Sequence, residues 1–258
     1  MDRLTAILRD HQPLLVALSG GVDSSLLLAV AAEVLGVQQV AAATVVSEGV
    51  TPEEVLRARR VAEALGVRFY LAVEPLLEDA AYAANGPDRC YHCRRHMYRT
   101  LREVALARSI PWIADGTHAD DDAGDRPGFV AREEAGVLAP LRQAGWGKER
   151  IRAEARRRAL VTAEEPANAC LASRLPTGTP VTLERFAQVA RAEAALRAAG
   201  LGLVRVRHHG PVARVELGEA ELARLPGGRL PEALERAVLA AGFERVEVAR
   251  YHGGRVEA

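Results

Sequence analysis

Lysine is almost missing from this chain: Lys148 is the only one among 34 basic residues, and asparagine occurs only at Asn85 and Asn168. GC-rich coding or a high growth temperature would each produce such a bias. A basic excess is missing too. The 34 Lys and Arg balance 34 Asp and Glu, which leaves no surplus to neutralise a phosphate backbone over many contacts and disfavours nucleic acid as a partner. There is no long apolar run either. The one near the N-terminus is broken by Gly20, Gly21 and Asp23, so it is neither a membrane span nor a secretory core, and the expected setting is the cytoplasm with no membrane partner. Cysteine is scarce and odd in number. Two of the three stand as Cys90-Tyr-His-Cys93, a spacing that in a reducing compartment points to metal or sulfur chemistry before disulfides.

What is present is a repeated alternation. LLVAL (14–18) has strand length between Pro13 and the glycines, a helix-length segment runs from Ser24 to Leu35, and VAAATVV is a second strand. Thr51 followed by Glu54 has capping-box spacing and predicts a helix start, and VRFYLAV is the next strand. This βαβαβ order predicts an α/β fold with a parallel sheet covered on both faces. An amphipathic segment over 89–108 leads into PWIADGTHADD, where an apolar strand runs out into a polar loop. Ligands of such sheets bind at the carboxyl ends of the strands. After PTGTPVT the texture changes to a helix from Leu183 to Ala199, the alternating strands LVRVRHHG and VARVELG, two further helical stretches and a last strand, RVEVARYH. The 258 residues therefore divide, on this reading, into a larger domain over 1–174 and a small α+β domain over 175–258. Strand edges in the second make a homo-oligomer the expected assembly.

The stretch SGGVDSS (19–25) sits where a phosphate loop would, but it is not GxxxxGK[ST]. Gly20 and Gly21 let successive N–H groups turn inward, a helix beginning near Ser24 adds its positive end, and Ser19, Ser24 and Ser25 bring hydroxyl donors. Asp23 would repel bare phosphate. It makes sense where Mg²⁺ bridges carboxylate and phosphate. Cys90 and Cys93 share a helical face, and Cys170 lies far along the chain in NACLASRLPTG. Three thiolates would leave one iron of a 4Fe–4S cluster without a protein ligand. On spacing alone a zinc site using His92 or His96 remains open, and so does a small core residue at Cys170. Arg174 stands close enough in sequence to favour the thiolate of Cys170.

SGGVDSS resembles the PP-loop of the N-type ATP pyrophosphatases. That likeness implies a loop gripping the β and γ phosphates of ATP while a substrate attacks the α phosphorus, with Ala17, Leu18 and Thr44 beside the adenosine. Over nearly its whole length the chain is similar to the LarE family of ATP-dependent sulfur-insertion enzymes. The matching stretches are SGGVDSS, RCYHCRRHMY, DGTHADD with the following RPG, GKERIR, CLASRLPTG and RVRHHGPVARVEL. The resemblance implies an ATP-dependent sulfurtransferase that adenylates a carboxylate of a pyridinium dicarboxylate mononucleotide and makes the thiocarboxylate of the nickel-pincer cofactor. It places sulfur chemistry at Cys170 and implies a 4Fe–4S cluster on Cys90, Cys93 and Cys170 carrying an extra sulfide. Family members without the CxxC instead give up the sulfur of the cysteine itself. Gly116 and one of Asp120, Asp121 and Asp122, of which we favour Asp122, are implied at the nucleotide or Mg²⁺. His118 and Thr177 depart from the family pattern, which has asparagine and tyrosine there.

Arg205 and Arg207 alternate along one strand and so face one side. Pattern alone allows an exposed charged face or a two-pronged clamp on one phosphate. The resemblance favours the clamp, brings Arg214 and Glu216 in the partner strand beside it, and implies an approach of Glu193 to a metal or the adenylated substrate. The alternative function is a tRNA thiolase of the same superfamily, against which the balanced charge argues.

Overall fold

The computed structural model describes residues 3–121, 127–165 and 170–251. The chain divides into two compact units: Met1–Leu76 with Asp88–Asn168, and Leu77–Pro87 with Ala169–Ala258.

The first unit is the expected α/β fold. Strands β1 (Leu14–Ala17), β2 (Val40–Val46), β3 (Arg68–Val73) and β4 (Trp112–Ala114) form a sheet in the order β3-β2-β1-β4. All its pairings are parallel, with Leu14 opposite Val40 and Trp112 and Ala41 opposite Arg68, and a single parallel bridge extends it from Ala114 to Leu138. Helices α1 (Arg3–Arg9), α2 (Val22–Leu35), α3 (Pro52–Ala64), α5 (Arg89–Leu106), α6 (Pro127–Glu134), α7 (Pro140–Gln143) and α8 (Lys148–Arg157) complete the unit.

Side-chain alternation along the strands divides the core in two. Leu14, Val16, Val40 and Ala42 pack with Leu26, Val61 and Ile151, whereas Leu15, Ala41, Ala43 and Ile113 pack with Tyr98, Leu101 and Ala105. Strands apolar on both faces are what a covered parallel sheet demands. The capping box at α3 is present: the Thr51 side chain accepts from the Glu54 N–H, and Glu54 accepts from the Thr51 N–H at 2.7 Å. Helix α2 starts at Val22 rather than near Ser24, because Gly21 in extended conformation is its N-cap.

The second unit is the smaller α+β body. Strands β5 (Val204–His209), β6 (Val212–Leu217) and β7 (Arg245–Arg250) lie in that order, β5 antiparallel and β7 parallel to β6. With them come α4 (Ala80–Ala83), α9 (Leu183–Ala198), α10 (Glu219–Leu222) and α11 (Glu232–Ala240). The segment 77–87 joins this unit through Asn85. Held at φ 56°, a left-handed conformation that asparagine tolerates, it donates from Nδ2 to the carbonyls of Pro176 and Thr179 at 2.8 and 2.7 Å, and its own carbonyl accepts from the Gly178 N–H. The PTGTP turn is thus closed by a residue some ninety positions earlier.

Candidate functional site

The phosphate loop lies at the carboxyl end of β1. Gly20 has φ +75°, and a Cβ there would stand 2.9 Å from the Glu54 carbonyl oxygen and 3.0 Å from the Ala58 nitrogen, so conformation and space both require glycine. Ser19 and Ser24 Oγ lie 3.0 Å apart, the Ser19 N–H donates to Ser24 Oγ, and the Gly21 N–H donates to Ser19 Oγ at 3.3 Å. No side chain caps α2, so its first-turn N–H groups point out of the helix without an intrahelical acceptor. Ser25 is fully buried, and its Oγ has no hydrogen-bond partner. Thr44 Oγ1 donates to the Leu18 carbonyl at 2.5 Å, and the Leu18 N–H donates to Ala43, opposite which Ala17 is registered. Gly116 closes the other flank: a Cβ on it would fall 2.7 Å from the Ser24 nitrogen. These arrangements fit a bound polyphosphate, with donors gathered round one helix start.

The lysine that the loop lacks comes from elsewhere in the chain. Lys148 Nζ reaches both carboxylate oxygens of Asp23 at 2.7 Å. Sequence reasoning noted this residue as the only lysine but gave it no role, and its singularity in an arginine-rich chain is the signal that could have found it. Asp120 fixes its position: Asp120 Oδ2 accepts from the Lys148 N–H at 2.5 Å, and a Cβ on Gly147 would lie 2.7 Å from Asp120 Oδ1. Asp121 Oδ2 accepts from the His118 N–H at 3.0 Å and lies 3.7 Å from His118 Nε2, which is 3.9 Å from Asp23. Asp122 lies outside the described residues.

Asp115, at the end of β4, is a further organiser that the sequence reading passed over. Its Oδ1 accepts from the Thr117 N–H at 3.0 Å and its Oδ2 from the Tyr98 hydroxyl at 2.6 Å, with Arg94 at 3.7 Å. Burial, and then the Asp115 carboxylate, push the Tyr98 phenol well above its ordinary range, so it remains a donor. Tyr98 and Arg94 belong to α5, the helix that carries Cys90 and Cys93. Glu74 ties down the same helix, accepting from His96 Nδ1 at 2.8 Å, from Arg99 Nη2 at 2.7 Å and from the Thr100 hydroxyl. Cys90 and Cys93 are half-buried free thiols one turn apart, with Arg89 Nη2 4.0 Å from the Cys90 sulfur. Of the histidines beside them, His92 pairs with Asp88 at 3.1 Å and His96 with Glu74. Among the described residues, no group of three or more His, Cys, Asp or Glu side chains stands together as a metal-binding cluster.

Cys170, in the second unit, is an exposed free thiol at the start of the single turn Leu171–Arg174. Its carbonyl accepts from the Ser173 N–H at 2.9 Å, from Ser173 Oγ at 2.8 Å and from Arg174 Nη1 at 3.1 Å. Arg174 thus meets Cys170 through the main chain. Its guanidinium also donates to Ser173 Oγ from Nη1 at 3.0 Å and to Glu193 from Nε at 2.8 Å and Nη2 at 3.2 Å, the Arg174 and Glu193 side chains being 1% exposed. Glu193 also accepts from Arg197 and, at 3.0 Å, from the Val206 N–H, which satisfies the open edge of β5. Burial would raise the Glu193 carboxyl, but the bonds and charges of Arg174, with Arg197 and Val206, hold it below its ordinary value.

A stability prediction follows from this pair. Glu193→Gln leaves Arg174 buried without its counter-charge, and we expect a loss of about 3–5 kcal/mol at neutral pH. Because the folded carboxyl titrates below its unfolded value, its contribution is complete above the ordinary carboxylate range and fades as pH falls through it. Denaturant melts of both proteins from pH 7 to 3 should therefore converge toward acid.

Arg205 and Arg207 do face one side of β5, but as buried residues. Arg207 donates from Nε to Glu216 at 2.9 Å and from Nη1 to the Ser173 carbonyl at 2.8 Å, while Arg205 Nη1 bonds the Val204 carbonyl and its guanidinium lies 5.9 Å from the Tyr251 ring centroid. Burial, and next the charge of Arg174, lower the Arg205 pKa, as expected of a guanidinium set among cations. Arg214 is registered opposite Arg207 and is exposed.

Comparison with known proteins bears on this geometry. A sequence-family profile described as asparagine synthase matches residues 4–107, the stretch from α1 through α5. A pyridinium-3,5-bisthiocarboxylic acid mononucleotide synthase of Lactiplantibacillus plantarum is 38% identical over 219 residues, covering 85% of this chain and 79% of its own. This chain belongs to the LarE family. It is an enzyme, an ATP-dependent sulfurtransferase of the PP-loop superfamily. The uncharacterised protein slr1717 of Synechocystis is 38% identical over 203 residues, 79% of this chain and 75% of its own. The likeness to tRNA-specific 2-thiouridylase MnmA of Mycobacterium leprae, 34% over 185 residues, reaches 59% of this chain and 51% of that protein. No helix among the described residues is long and apolar enough to cross a membrane.

Proposed function

We propose that this chain uses ATP to adenylate a carboxylate of a pyridinium dicarboxylate mononucleotide and replaces the adenylate by sulfur, giving the thiocarboxylate of the nickel-pincer cofactor. The observation that carries the reading is a phosphate cradle with its own cation, Lys148 on Asp23, in a chain whose three cysteines are outside any disulfide. The substrate class comes from the name of the L. plantarum relative.

In the first step a carboxylate oxygen of the substrate bonds to the α phosphorus and the bond to the β-bridging oxygen breaks, so negative charge grows on the departing pyrophosphate. Ser19, Gly20, Gly21, Ser24 and Ser25 hold that leaving group with N–H and hydroxyl donors, and Ala17, Leu18, Thr44 and Gly116 flank the nucleoside. Asp23 already holds a cation at 2.7 Å, which fits a Mg²⁺ ion there with Lys148 turned to the phosphates. Bound Mg²⁺ would neutralise the charge that develops on them. Asp122 is the further acidic candidate for that ion.

In the second step the acyl carbon exchanges its C–O bond to AMP for a C–S bond, and the electron pair leaves on the AMP phosphate. Cys90, Cys93 and Cys170 are the ligands we assign to a 4Fe–4S cluster, whose open iron would supply the sulfur as an extra sulfide. Thiolates are the ligands such a cluster takes; two of these stand one turn apart on a helix held by Glu74 and Asp115, and the third is exposed with its carbonyl tied by Ser173 and Arg174. Arg174 is then a positioning residue. Arg205, Arg207 and Arg214, on one face of their sheet, are the side chains we assign to the substrate phosphate. We place the enzyme in the cytoplasm as a homo-oligomer.

The test is anaerobic incubation of the purified protein with Mg²⁺, ATP, sulfide and either the pyridinium mononucleotide or unmodified tRNA. Pyrophosphate release and a thiocarboxylate product should appear with the mononucleotide. Release stimulated by tRNA alone would replace this reading by the thiouridylase one.

A further inference from the structure

One cavity of the first unit takes no part in this chemistry. It is an open hollow of about 580 Å³ lined by Arg3, Arg132, Arg142 and Glu133, with Val137 and Ala139 as its apolar wall. Arg132 is only 7% exposed, yet its Nη1 is buried with no hydrogen-bond partner. Its Nη2 stands 3.5 Å from Glu133, whose side chain is 74% exposed. Arg142 spends one N–H on the Asp121 carbonyl at 3.3 Å, and Arg3 is exposed with no ion pair among the described residues. The ring of Phe129 gathers the guanidiniums, with Arg142 4.9 Å and Arg132 5.1 Å from its centroid.

Among the described lining residues, three guanidiniums round one hollow repel each other, and the single solvated carboxylate of Glu133 offsets little of that repulsion. A charged N–H buried without an acceptor bears the full cost of desolvation. An oxyanion in the hollow offsets that repulsion, since its several oxygens match the planar forks of arginine. The volume is in the range of small-molecule sites and exceeds what a bare ion needs, and Val137 with Ala139 gives an organic part something to rest on. We propose that this cavity binds a small organic oxyanion, a phosphomonoester or a polycarboxylate, separately from the phosphate loop. The inference does not rest on the reading of the sulfur chemistry.

Isothermal titration at constant ionic strength tests it, with the phosphate loop first saturated by α,β-methylene-ATP and Mg²⁺. Glycerol 3-phosphate and citrate are the two probes. At least one should bind at a single site, and the tighter of the two identifies the source of the oxyanion. Arg3→Ala, on the exposed rim, should weaken that binding about tenfold, the loss of one charge-assisted contact, and Arg132→Met should abolish it. Affinity for the ATP analogue should hold in both variants, which also shows that they fold. Absence of heat with either probe, or equal binding by wild type and Arg3→Ala, would overturn the proposal. Such a result would point to ordered water as the partner of Arg132 Nη1.

Discussion

Cys170→Ser should abolish thiocarboxylate formation, by about 10³-fold or more as expected when a group that handles the transferred atom is lost, while substrate-dependent pyrophosphate release continues. On the proposed reading, adenylation uses the loop 19–25 and Lys148, all in the first unit; Cys170 belongs to the second and its side chain is exposed. Serine preserves the turn, because what Ser173 and Arg174 bind is the carbonyl of residue 170 rather than its sulfur. The variant should therefore melt close to wild type and accumulate acyl-adenylate. Rapid-quench detection of that species, with pyrophosphate counted in parallel, checks the outcome. If pyrophosphate release stops as well, residue 170 takes part in activation and the two-step division is wrong.

Lys148→Met should act on the other half of the reaction. The ammonium now sits on Asp23 at 2.7 Å from both oxygens, and both side chains are partly exposed, so the pair itself stabilises the fold by no more than about 1 kcal/mol. On the proposed mechanism its value lies in the transition state, where charge builds on the pyrophosphate and a positioned donor is worth about 10²–10³ in rate. We expect the adenylation rate to fall by that factor with little change in melting temperature. Arginine should restore less than its charge suggests: a planar guanidinium in place of a compact ammonium has to fit beside Asp120, which anchors the residue's own N–H. Pyrophosphate exchange into ATP, measured for both variants, separates this from a structural defect.

Much of the fold could be read because it is local. The alternation of LLVAL, VAAATVV and VRFYLAV with helical segments, and the Thr51–Glu54 box, are decided within a few residues of chain, and they appear as a parallel sheet and a capped helix. What could not be read depends on partners far apart. Lys148 meets Asp23 across 125 positions, Asn85 closes the turn at 176–179, and Asp115 receives Tyr98 from a neighbouring helix. Period-two spacing put Arg205 and Arg207 on one face, but it could not say that both are buried or that Glu216 and the Ser173 carbonyl already occupy Arg207. Arg174 shows the same limit. Nearness in sequence to Cys170 is real, yet the side chain turns to the carbonyl because Glu193, one turn from Arg197 on α9, holds its guanidinium.

The central claim is that sulfur passes through the chain without consuming it. Anaerobic purification followed by iron and zinc analysis, with intact mass recorded before and after many turnovers, tests this most directly. The account predicts bound iron and an unchanged polypeptide mass. A polypeptide lighter by one hydrogen sulfide for each product formed would show that Cys170 is sacrificed instead, and zinc without iron would contradict the cluster altogether.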